Sequence, residues 1–174
     1  MKAISRPLSE PQVETSMNVQ HLSSKPMKFQ NMMALSLDVS FFTSEFRLCD
    51  VIAEYLANIV AQSHKDPARY ANFSSQLINE IVEVAFSSAR EMSKVDFQLT
   101  KNGLCIRFSV GFLYEKHSSM TWATLWEPAA VSPPHPAHDL IALAQAIEVD
   151  LQAEADGDDR VVLIADFHAR EAVH

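Results

Sequence analysis

Glycine is scarce in this chain, with Gly103, Gly111 and Gly157 the only three among 174 residues. A loop that wraps phosphate with its backbone amides needs several glycines close together, so a glycine-rich phosphate loop is excluded. Cysteine is almost as rare. Cys49 and Cys105 each sit among apolar neighbours, which argues for two reduced, buried thiols and against a disulfide framework. No apolar run is much longer than "VVLIA", far short of the roughly 20 residues a membrane helix requires. The opening "MKAISRPLSEPQVETSMNVQ" has no apolar centre of the kind an export signal carries. Positive charge is in deficit: 14 Lys and Arg against 22 Asp and Glu give a net charge of −8. Nucleic-acid affinity comes largely from Lys and Arg displacing counterions. The expectation is therefore a cytoplasmic protein with no membrane and no nucleic-acid partner.

What is present is an ordinary globular balance, 48% hydrophobic and 21% charged, in a length suited to one domain. Residues 1–28 hold Pro7, Pro11 and Pro26 among polar residues without period, and are expected to form a mobile tail. The domain is expected over 29–170. "MALSLDVSF" alternates Leu35, Leu37, Val39 and Phe41 with Ser36, Asp38 and Ser40, the pattern of a strand with one buried face, near 33–41. Thr43 or Ser44 can cap a helix near 44–62 that aligns Leu48, Ile52, Tyr55, Leu56 and Ile59. Asp66 and Pro67 then open a second helix to about residue 90, burying Phe73, Leu77, Ile81 and Ala85. "VDFQLT" and "LCIRFSVGF", joined through Lys101, Asn102 and Gly103, read as a hairpin. A proline-rich, lid-like loop follows over about 114–137. Leu140, Leu143, Ala144, Ile147 and Leu151 then line up as an amphipathic helix over 138–153, and after the turn "DGDD" the run "RVVLIADFH" is a final strand, 160–168. The fold class is α+β: a two-layer sandwich, with a mixed four- to five-stranded sheet covered by helices on one face.

The order strand, helix, helix, hairpin, variable segment, helix, strand resembles the histidine-kinase-like ATPase (Bergerat) fold of sensor kinases, anti-sigma-factor kinases and the SiaB-type kinase-like proteins of bacterial partner-switching modules. The likeness spans roughly 33–168. It is most specific in "FRLCDVIAEYL" and "FSSQLINEIVEVAFSSA", where the family's second helix carries Glu-Leu-x-x-Asn-Ala-x-Lys. On that signature Glu80 takes the Glu position, Val84 the Asn, Ala85 the Ala and Ser87 the Lys. The spacing i, i+4, i+7 sets 80, 84 and 87 in one helical stripe. In the family the Glu handles a water or proton, the Asn oxygen binds magnesium and the Lys meets phosphate. Magnesium needs hard oxygen ligands, which Val84 does not have, and Ser87 brings no cation. The Asp-x-Gly-x-Gly expected soon after Val110 is replaced by "GFLYEKHSS". The resemblance thus implies a pseudo-ATPase with a degenerate nucleotide site at Glu80, Val84 and Ser87. No cofactor is implied, and its role would be regulation through a protein partner in a signalling pathway. Two alternatives stay open: an ATP- and Mg2+-dependent protein kinase using Glu80 as acid/base, and a homo-oligomeric scaffold such as a homodimer pairing through the first strand and helix.

Other chemistry has weaker support. His135 and His138 stand near Asp139, yet a zinc site needs three or four converging ligands, so solvated loop histidines are the simpler reading and no metal is expected. His64, at a helix end, suits the dipole there better than phosphotransfer. "DGDD" lacks the length and terminal Glu of a calcium loop. No elbow motif frames Ser44, Ser87, Ser88 or Ser109 as a nucleophile. Trp122 and Trp126, four apart, suit either a core or a partner-facing surface.

Overall fold

The computed structural model describes residues 28–41, 47–114 and 136–168. Along the chain run β1 (Gln30–Asp38), α1 (Arg47–Ala61), α2 (Pro67–Ser88), β2 (Lys94–Lys101), β3 (Cys105–Leu113), α3 (Pro136–Ala146), β4 (Asp150–Ala155) and β5 (Arg160–His168). The strands form one five-stranded sheet in the order β1-β2-β3-β5-β4, antiparallel at every neighbour. The tail, the capping residues Thr43 and Ser44, and the lid-like segment with Trp122, Trp126 and His135 lie outside the described residues.

Local chemistry explains several boundaries. The Asp66 carboxylate accepts from the Arg69 amide at 3.2 Å, with Pro67 in the first turn, so α2 starts where sequence places it. Asn102 makes the β2–β3 turn: its Oδ1 accepts from the amides of Leu104 and Cys105, both at 2.8 Å. Gly157, at φ +81°, supplies the left-handed residue of the β4–β5 turn.

One sheet face is apolar. Val95, Phe97 and Leu99 of β2, Ile106, Phe108, Val110 and Phe112 of β3, and Val161, Leu163, Ala165 and Phe167 of β5 are all buried. Two stripes of α2, Leu77/Ile81/Ala85 and Ile78/Val82/Phe86, cover them, and the Phe86, Phe97 and Phe108 rings succeed one another at 5.9 and 6.3 Å. Cys49, Ala53, Leu56, Ala57 and Val60 close the core from α1, and Leu140 and Ala144 from α3. α2 packs against both other helices and β3, and α3 reaches β4, so the helices cross the sheet in the order α1, α2, α3, with α1 at the β1 end. The two-layer architecture with helices on one face is as expected.

Four details differ from the sequence reading. The sheet is antiparallel, not mixed. The helix expected to reach 153 stops at Ala146, where Glu148 turns left-handed (φ 57°) and the Val149 amide closes onto the Ala144 carbonyl at 2.9 Å. Residues 150–155 then form β4, so "DGDD" turns between two strands. These three corrections have one cause, because an extra strand after α3 reverses β5, and a β5 that would have run parallel to β3 pairs antiparallel with it. Fourth, β1 lies about three residues earlier than 33–41, and Phe41 and Phe73, expected to be buried, are exposed.

Candidate functional site

The stripe that carries the family resemblance lies on the side of α2 turned from the sheet. Glu80 and Ser87 are exposed and Val84 is half-buried against the core. The Ser87 hydroxyl donates to the Val84 carbonyl at 3.1 Å, a local backbone bond that occupies it within its own helix. The stripe therefore presents one carboxylate, one isopropyl group and one hydroxyl, a donor set without the paired oxygens and cation that a magnesium-phosphate group needs. Gly111, the lone glycine where the adenine-reading motif would stand, is inside β3 with the Arg160 guanidinium lying over it. A Cβ there would come 2.5 Å from an Arg160 nitrogen.

The described cavities lie elsewhere. A groove of about 560 Å³ between α1 and α2 is lined by Asp50, Glu54, Asn58, Asn72, Gln76 and Asn79 over small alanines. It holds carboxylates and amides but no Lys or Arg, so its charge opposes phosphate. Asn79 donates to Glu83 at 2.8 Å, while its own oxygen is buried without a hydrogen-bond partner. A second cleft, about 440 Å³, opens between the start of α2 and the end of α3, with Arg69, Tyr70, Phe73, Leu143 and Ile147 on its walls. The ring of His64 stacks on Tyr70 at 3.4 Å, and the Arg69 guanidinium lies 5.8 Å from the Phe73 centroid. His64 is thus part of an aromatic stack at the α1–α2 turn.

The sheet face without helices carries the polar network that the sequence reading missed. Arg107 on β3 grips Asp166 on β5 through two bonds of 2.7 Å, with the Phe29 ring 4.4 Å from its guanidinium. Arg160 reaches across β3 to Asp96 at 2.9 Å, and Ser36 donates to the same carboxylate at 2.6 Å. The Ser36 hydrogen bond is the largest cause holding the Asp96 carboxyl below its ordinary range; burial opposes it, and Arg160 adds to the lowering by hydrogen bond and by charge. His168 and Asp150 pair at 2.8 Å. These are strand-to-strand ties: each basic group meets an acid, which makes this face a brace for the sheet.

Both cysteines are buried and unpaired with each other. Burial, then Glu83, pushes the Cys49 thiol up to about 11, so it is a packing group and no nucleophile. Among the described residues no cluster of His, Cys, Asp or Glu could hold a metal, and no helix is long and apolar enough to cross a membrane. Neither a known protein family nor a curated protein matches the chain.

Proposed function

We propose that this chain is a regulatory protein of histidine-kinase-like architecture that no longer handles nucleotide and acts in a signalling pathway by binding another protein. The α2 stripe carries the reading. Val84 packs on the core where a magnesium ligand belongs, and Ser87 bonds to its own helix where a phosphate-binding cation belongs. The order of strand, two helices, hairpin and helix supports the resemblance, while the closing pair of strands, β4 and β5, and the fully antiparallel sheet depart from it. The acidic lining of the α1–α2 groove adds to the case against phosphate.

Calorimetric titration with Mg-ATP tests it. Each lost charge-assisted contact is worth about 1.5–3 kcal/mol, so loss of the metal ligand, the lysine and the adenine-reading Asp leaves affinity no better than about millimolar. The double variant Val84→Asn/Ser87→Lys is expected to stay as weak, because the Asp and the glycine-rich lid remain absent. Micromolar binding by the wild type would overturn the proposal and favour a kinase using Glu80. Co-purification from the native cell then identifies the protein partner.

A further inference from the structure

β1 is an edge strand with a neighbour on one side only among the described residues. Between Lys28 and Asp38 it has neither a charge nor a proline, two of the devices that protect an edge from pairing, and its one irregularity is a register shift between Asn31 and Met33, near its start. The opposite edge, β4, is protected: six residues long, it carries Asp150 and Glu154, and Asp156 and Asp158 follow. Two copies of β4 would repel each other; two copies of β1 would not.

The layer above β1 has the same character. α1 lies at the β1 end of the helix row, with α2 on its other side. Its acids Asp50 and Glu54 line the groove towards α2. The flank turned from α2 is apolar, with Leu48, Ile52 and Ile59, each half-buried against the core, and the exposed Tyr55 following one another at intervals of four, three and four residues, a spacing that also suits a helix–helix seam. Tyr55 is 60% exposed and its neighbour Val51 57%. Below them Leu35, on the helix side of β1, remains 38% exposed, although a strand with one buried face should cover it.

We propose that this edge, the free side of β1 with the outer flank of α1, binds a second copy of the chain about a two-fold axis normal to the sheet. Antiparallel strands related by such an axis keep their helices on the same side, so β1 continues into a ten-stranded sheet and α1 lies against its counterpart. The charges fit: pairing centred on Met33 sets Lys28 opposite Asp38 of the second copy, and pairing centred on Ala34 sets it two residues away. The size also fits. Nine residues span about 30 Å and the sheet-plus-helix layer is about 20 Å deep, which gives about 1,200 Å² in total, the lower end for a specific and reversible dimer. The inference does not depend on the proposed function, since it uses neither the α2 stripe nor a nucleotide.

Sedimentation of the full chain from 5 to 200 µM tests it. The expected result is a reversible species of twice the 19.5 kDa chain mass. Leu35→Lys and Tyr55→Glu, each verified as folded by circular dichroism, should weaken its association at least about tenfold, while Gln152→Lys on β4 leaves it unchanged. Should either variant fail to fold, Ala34→Cys provides a second reading: under mild oxidation it should give a covalent dimer, and Gln152→Cys should not. A monomer at 200 µM, a dimer indifferent to both edge substitutions, or cross-linking through residue 152 in place of 34 would overturn the proposal.

Discussion

Removing either partner of the Arg107–Asp166 pair should destabilise the fold, and by unequal amounts. The pair joins β3 to β5 on the open face through two bonds of 2.7 Å, and its two side chains differ in exposure, 34% for Arg107 and 11% for Asp166. Asp166→Ala leaves a guanidinium that reaches water with a third of its surface. The cost is then the charge-assisted bonds alone, about 1.5–2 kcal/mol. Arg107→Met instead strands a nearly buried carboxylate, for which about 3 kcal/mol is the expected loss, together with about 0.5 kcal/mol from the ring contact to Phe29. Phe29→Ala measures that last part on its own. For a domain of this size 1 kcal/mol moves the melting temperature by about 2–4 °C, so the two variants should separate in urea and thermal unfolding. The double variant Arg107→Met/Asp166→Leu, with no charge left to desolvate, should return to within about 1 kcal/mol of wild type. A larger loss from Asp166→Ala than from Arg107→Met, or a double variant equal to the sum of the singles, would refute the reasoning.

Acid should weaken the brace at Asp96. Its carboxyl is held low in the folded protein, chiefly by Ser36 and then Arg160, so the associated stability is present above the unfolded value of about 3.9 and is lost as pH falls through the lower folded value. Melting temperatures from pH 6 to 2.5 should fall less steeply for Ser36→Ala and least for Asp96→Asn; unchanged slopes would remove Asp96 from the account. Met92, at φ 58° and 98% exposed in the α2–β2 turn, takes a conformation that costs an L residue about 1–2 kcal/mol. Met92→Gly should therefore stabilise by about 0.5–1 kcal/mol, and a lower melting temperature would show that its side chain is held.

Much of this protein follows from local sequence. Asp66 and Pro67 start α2, Asn102 and Gly103 turn β2 into β3, and the short apolar run "VVLIADF" after an acidic turn makes a strand, because each of these signals acts within a few residues and competes with little else. That Val84 has no oxygen for a metal and Ser87 no cation for phosphate is likewise a matter of residue identity, legible before any coordinate is known. Tertiary structure decided what local period left ambiguous. Leu140, Leu143, Ala144, Ile147 and Leu151 satisfy a helix through 153, yet Val149, Leu151 and Ala153 satisfy a strand equally well. β5 has an edge whose amides and carbonyls need partners, and pairing with 150–155 satisfies them, which also sets β5 antiparallel to β3. The ties across the open face were invisible for a different reason: Arg160 meets Asp96, 64 residues away, only because Gly111 lets its guanidinium pass over β3. The exposure of Leu35 is of the same kind, since alternation marks which face of a strand is apolar, and only the packed helix layer determines how far that face is covered.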